Sequence, residues 1–314
     1  MKRVTLFLAA MAIAAPVLAQ TPAGQAPAMP GGAPGGRAGG GAQAANIDVP
    51  WNDAIPPGTA DHAARALKES SRHGEWVDIK MADGTALKSW VVYPESPTKT
   101  GVVLVIHDIF GMRDLARALG DQLAQDGFIA IVPDFLSGKG PNGGGSDSLG
   151  QGVGQAIQQL TPTDIVARLN AAMDYGRKLP ASNGKTGVVG FCWGGSQSFL
   201  YASQQPNLNA AVVFYGSAPG TGTNDATVDS VAAALANVKA PVLGMYAGND
   251  ARIGATVPVT QDAMKKLGKS YDVHTFAGAG HGFVFAQAGA NGANLKATQD
   301  AWPLVLQFYR ANLK

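Results

Sequence analysis

The chain contains a single cysteine, Cys192, set in Gly190-Phe191-Cys192-Trp193-Gly194-Gly195 after the apolar run 186–189 and before a helix-compatible stretch. A thiol at such a strand-to-helix turn can act as a nucleophile in acyl transfer. The turn forces its middle residue into a strained backbone, and the positions two before and two after must be small because a Cβ there would meet the strand or the helix. Gly190 and Gly194 meet that condition. The competing reading is a small buried apolar residue, common for free cysteines. A reactive thiol therefore requires a base elsewhere in the chain, and a third group to orient that base.

Five histidines are available: His62, His73, His107, His274 and His281. His62 and His73 precede the sheet-forming runs, and His274 lies inside a strand pattern where it would face the core or a helix. His281 stands in Ala279-Gly280-His281-Gly282-Phe283, just after the last apolar run, where small neighbours let an imidazole project into a pocket. Asp250 follows the run 242–246 in Gly248-Asn249-Asp250, which is also ordinary turn chemistry. Nucleophile, acid and histidine in that chain order, each at a strand end, match an α/β-hydrolase arrangement. The oxyanion of acyl transfer needs donors fixed in advance, and the backbone N–H groups of Trp193 and Ile109 are the candidates.

The elements that must position these residues are legible as a pattern. Runs 75–80 and 87–93 flank Ala82-Asp83-Gly84 and read as an antiparallel hairpin. Beyond it, short apolar runs at 102–106, 129–132, 186–189, 211–214, 242–246 and 271–276 alternate with longer segments. Helical periodicity marks 115–125 and 163–175, and a closing helix is expected over 295–313, with Pro303 interrupting its early part. The fold class is α/β: a mainly parallel central sheet with helices on both faces and an N-terminal antiparallel hairpin. The Gly- and Ser-rich segment 138–154 follows a strand and reads either as a mobile rim over the pocket or as an inert insertion.

Ahead of the sheet, Met1-Lys2-Arg3 and the apolar stretch 4–15 lead to small residues near Ala19. That is the pattern of a secretory signal over 1–19, too short to span a bilayer, and the expected location is secreted, in the periplasm of a Gram-negative source. Residues 20–45 are almost entirely Gly, Ala, Pro and Gln and read as a flexible linker; 46–314 suits one domain. In an oxidising compartment a lone cysteine has no internal disulfide partner, so it is either reactive or fully buried. The net charge of +2 is carried largely by Lys2 and Arg3, and no basic run occurs elsewhere, which excludes a nucleic-acid partner. No metal spacing or dinucleotide fingerprint is present, and no cofactor is expected.

These motifs, with His107-Asp108-Ile109-Phe110-Gly111, Val132-Pro133-Asp134, Ser182-Asn183-Gly184-Lys185 and Tyr215-Gly216, resemble the dienelactone hydrolase family of α/β-hydrolases from about Trp76 to the C-terminus. The cysteine-centred elbow is specific within a superfamily where serine is usual. The resemblance implies a triad of Cys192, Asp250 and His281, with Ile109 and Trp193 as oxyanion donors. It also implies a thiol-proton acceptor at Asp108, where the family usually carries a glutamate. Arginines that hold a substrate carboxylate in the family have no counterpart after the histidine, where Val284-Phe285-Ala286-Gln287 stands. An aromatic ring cannot supply that charge-assisted pairing. A pocket with Phe110 and Phe285 fits an uncharged ester or lactone better than a dienelactone. The other reading is a non-catalytic or thiol redox-sensing scaffold of the same fold.

Overall fold

The computed structural model describes residues 46–223 and 225–314; the expected signal and linker, 1–19 and 20–45, lie outside the described residues. Eight strands, β1 (Gly74–Lys80), β2 (Ala86–Val92), β3 (Thr100–Ile106), β4 (Ile129–Pro133), β5 (Ser182–Phe191), β6 (Ala210–Phe214), β7 (Val242–Ala247) and β8 (Tyr271–Phe276), form one sheet. Their order is β1-β2-β4-β3-β5-β6-β7-β8. The first two neighbour pairs are antiparallel and the rest parallel. This is the architecture expected from the alternation of apolar runs and helices.

Seven longer helices cover the sheet: α1 (Ala60–Glu69), α2 (Asp114–Gln125), α3 (Pro162–Lys178), α4 (Trp193–Gln204), α5 (Val228–Leu235), α6 (Val257–Lys266) and α7 (Ala293–Asn312). The central strands are apolar on both faces because both are covered. In β3, Val102, Leu104 and Ile106 pack against Ile165, Leu169 and Met173 of α3, while Val103 and Val105 face the layer of Leu119, Leu123, Trp302 and Tyr309 from α2 and α7. Each such fully buried aliphatic contributes on the order of 1.5–3 kcal/mol of transfer free energy. α3 starts on a reciprocal cap between Thr161 and Asp164, with Pro162 in its first turn.

The structure adds to the sequence reading at three places. α7 runs unbroken through Pro303, because the carbonyl left without its N–H partner belongs to the exposed Gln299 and can turn to water. α1 had no counterpart in the sequence reading. His274 is only partly buried: β8 closes one edge of the sheet, and the ring pairs with Asp272 at 3.1 Å.

β5 lies at the centre of the sheet, and Gly190 pairs with Ile106 on one side and Val213 on the other. Cys192 therefore leaves the sheet between the ends of β3 and β6. Its backbone takes φ 58°, ψ −116° and caps α4, and its N–H donates to the Phe214 carbonyl at 3.1 Å. The small neighbours are required by contact: a Cβ on Gly190 would lie 1.9 Å from the Gly194 carbonyl oxygen, and one on Gly194 would lie 2.4 Å from the carbonyl oxygens of Ile106 and His107. These are backbone atoms that cannot yield without moving the strands. Gly194→Ala is expected to lower stability by at least about 3 kcal/mol, whereas Gly152→Ala, with nothing within 4 Å of the added carbon, leaves it within about 0.5 kcal/mol; urea denaturation of both variants checks this.

Candidate active site

The residues singled out by type and spacing meet at the C-terminal ends of the parallel strands. Cys192 follows β5, Asp250 follows β7, and His281 lies in the loop after β8. Asp250 caps the short helix Ala251–Gly254, its Oδ1 accepting the Ile253 N–H at 3.3 Å while Oδ2 accepts from His281 Nδ1 at 2.5 Å. One carboxylate thus holds a helix start and an imidazole together. It is almost fully buried, which strengthens both interactions.

His281 keeps its proton above the usual histidine range. The neighbouring Cys192 side chain is the largest cause, partial desolvation opposes it, and the bond to Asp250 adds to the upward shift. The ring is also confined by packing: Tyr215 meets it edge-on with centroids 5.1 Å apart, and Phe283 packs behind Tyr215 at 5.2 Å. Burial raises the Tyr215 phenol well above its ordinary range, so it stays neutral. From α7, the buried Asn294 accepts the Gly280 N–H and donates to the Ala286 carbonyl, both at 2.8 Å, fixing the loop on either side of His281. Asn294 was not marked by any motif, since its role depends on a contact across 14 positions.

The loop after β3 is organised by His107. Its Nε2 accepts the Phe135 N–H at 3.3 Å, which assigns the proton to Nδ1, and Nδ1 donates to the Asp108 carbonyl at 2.9 Å. Burial lowers its pKa, so the ring is neutral and structural. The Trp193 indole stacks on it at 5.9 Å and packs into the molecule. Among the described residues, the N–H groups of Ile109 and Trp193 have no hydrogen-bond acceptor, so two backbone donors are left over at the two loops next to Cys192.

Asp108 is placed differently from the expectation that it accepts the thiol proton. Its carboxylate takes the Phe110 N–H at 2.9 Å and pairs with the Arg113 guanidinium, and neither bond goes to Cys192. The shorter side chain turns back onto its own loop. Arg113, which sequence reasoning missed, lies over the rings of Phe110 at 4.8 Å and Phe285 at 5.9 Å. Its place five residues after Asp108, at the entry to α2, was the available signal. Phe285 packs on Phe191 at 5.0 Å, and Phe110 is 62% exposed at the rim. Segment 138–154 is not a free lid: it holds short helical turns, buries Val153, and is pinned where Ser146 bonds both oxygens of Asp134 and accepts the Met112 N–H at 3.0 Å. Arg252 lines a separate cleft of about 520 Å³ with Ser217 and Thr256.

The model of the dienelactone hydrolase family matches residues 87–313. A protein of Methylorubrum extorquens described as a carboxymethylenebutenolidase is 28% identical over 236 residues, covering 74% of this chain and 79% of its own. One from Saccharolobus solfataricus with the same description is 27% identical over 266 residues, 73% of this chain and 95% of its own. Among solved structures, a dienelactone hydrolase-type protein from Klebsiella pneumoniae superposes with a TM-score of 0.65 at 24% identity, over 77% of this chain and 99% of that one.

Removing the charge of Asp250 while keeping its shape separates its two roles, since Asn also caps helices well. Asp250→Asn should fold and should lower kcat for ester hydrolysis by about two to four orders of magnitude. If His281 is the base, it acts when deprotonated, and the acid limb of the kcat/KM profile should lie above the ordinary histidine pKa in the wild type. It should move to lower pH in the variant, where one of the groups raising the His281 pKa is lost; initial rates from pH 5 to 9 check both.

Proposed function

The chain belongs to the dienelactone hydrolase family and is an ester or lactone hydrolase; we propose that it works through Cys192 as nucleophile, His281 as base and Asp250 as the group orienting the base. One observation carries this reading: the buried Asp250 carboxylate holds His281 at Nδ1, and the neighbouring Cys192 raises the proton affinity of the same ring. That leaves Nε2 as the nitrogen for the thiol proton. As the Cys192 sulfur attacks the substrate carbonyl carbon, His281 takes the proton and the carbonyl oxygen becomes an oxyanion, which the N–H groups of Ile109 and Trp193 stabilise. The intermediate collapses by breaking the bond to the leaving oxygen, His281 returns the proton to that alkoxide, and a thioester remains on Cys192. Water then attacks the thioester with His281 again as base, releasing the acid and restoring the thiol.

The substrate class follows from what surrounds the site. Phe110 and Phe285 supply apolar surface, with the buried Phe191 behind Phe285, and the nearby cation Arg113 is already paired with Asp108. A substrate carboxylate would have to compete for it. An uncharged ester or lactone fits this better than a dienelactone. Asp108 serves to brace the loop that carries the Ile109 N–H. Cys192→Ala is expected to reduce hydrolysis of a short aryl ester at least about 1000-fold, measured as initial rates on purified protein; equal rates in wild type and variant would remove the mechanism.

Residues 1–19 are read as an export signal cleaved after Ala19, supported by the basic start, the short apolar stretch and the small residues before the cleavage point. Among the described residues no helix is long and apolar enough to cross a membrane. Expressed in a Gram-negative host, the protein should be recovered from the periplasmic fraction with Gln20 as its first residue, as read by N-terminal sequencing.

A further inference from the structure

β8 closes the sheet, so the loop that carries His281 has a neighbouring strand on one side only. Asn294 fixes the near part of that loop. The far part is held by residues that precede the family-matched region 87–313. Gln287 is buried, and its Nε2 donates to the Pro56 carbonyl at 2.8 Å and to the Val284 carbonyl at 3.1 Å. The Ile47 N–H donates to the Ala288 carbonyl at 2.8 Å. Gly58 comes so close that a Cβ there would sit 2.3 Å from Cδ of Gln287. Phe285, two positions before Gln287, packs against the small cluster that Ala63 of α1 forms with Leu115 and Ala118 of α2.

The arm is itself anchored. The side-chain amides of Gln122 and Gln125 in α2 donate to the Asp53 carbonyl at 3.1 and 2.7 Å. At its other end Arg72 pairs with the buried Asp121 at 2.5 Å. A segment tied to α2 at both ends therefore grips the histidine loop through a buried amide, a backbone bond and an aromatic ring. Since small misplacements of a catalytic group cost rate steeply, such a grip has a functional effect whenever His281 is the base.

We propose that residues 47–72 act as a positioning arm for His281, with Gln287 as the positioning residue that transmits the grip. The inference rests on the reading of His281 as the base of Cys192. Two variants of the full chain test it from opposite sides of one contact. Gln287→Met keeps the volume and removes the donor, and Gly58→Ala pushes the Gln287 side chain away from Pro56. Each should lower kcat on a short aryl ester by between about 10- and 100-fold with KM changed less than about twofold. Each should also move the His281-dependent step in the pH profile of Cys192 alkylation by iodoacetamide to lower pH, because a displaced ring loses the partners that raise its pKa.

Wild-type kcat and alkylation profiles in both variants, with only the melting temperature lowered, would overturn the proposal and leave the arm a purely structural brace. The alkylation measurement needs no turnover. If Cys192→Ala hydrolysed esters at the wild-type rate, the nucleophile reading would fail by itself, and the alkylation profiles of the two arm variants would still decide the arm.

Discussion

Everything at the site is referred to a backbone turn that tolerates no side chain two positions before or after its centre. Cys192 reverses direction at φ 58°, ψ −116°, a conformation costing a non-glycine residue about 1–3 kcal/mol, and Gly190 and Gly194 pass within contact of each other and of the end of β3. The sheet offsets that cost, because β5 is hydrogen-bonded on both sides and buried on both faces. In exchange the thiol stands at the first turn of α4, between two loops with uncommitted N–H groups. A central strand is the place in this fold where such strain can be held.

The surroundings of His281 show how the charge of the site is balanced. Asp250 is bound by a helix N–H and by the ring, so its orientation is set before any substrate arrives. Tyr215 is kept neutral by burial and contributes shape without a competing charge. Asp108 and Arg113 neutralise each other beside the aromatic wall. In the proposed mechanism, what remains to respond to a substrate is the Cys192–His281 pair and the backbone donors, a small set of groups with few alternative partners.

Much of this could be read from residue types in order. The parallel strands and the triad candidates follow from short runs ending before Cys192, Asp250 and His281: β3 to β7 are largely buried and leave apolar runs, while the half-exposed edge strand β8 is marked by its aromatic and β-branched residues. The contacts that orient those groups could not be read that way. Asp108 is matched to a role by position, yet its carboxylate is bound by the Phe110 N–H and Arg113. Asn294 and Gln287 are ordinary polar residues in sequence, and their importance lies in what they meet, 14 and 231 positions away. α1 was missed because its buried stripe is narrow, with Ala63 as its one fully buried residue.

The single thiol has a second consequence besides the proposed acyl transfer. If an oxidant converts Cys192 to a sulfenic acid, no second cysteine exists in the chain to condense with it. Recovery then depends on a small thiol or a reductase reaching Cys192 from outside, with the Asp250-bound imidazole beside it. Access to the pocket would thus set how long the protein survives oxidative stress as well as what it can cleave.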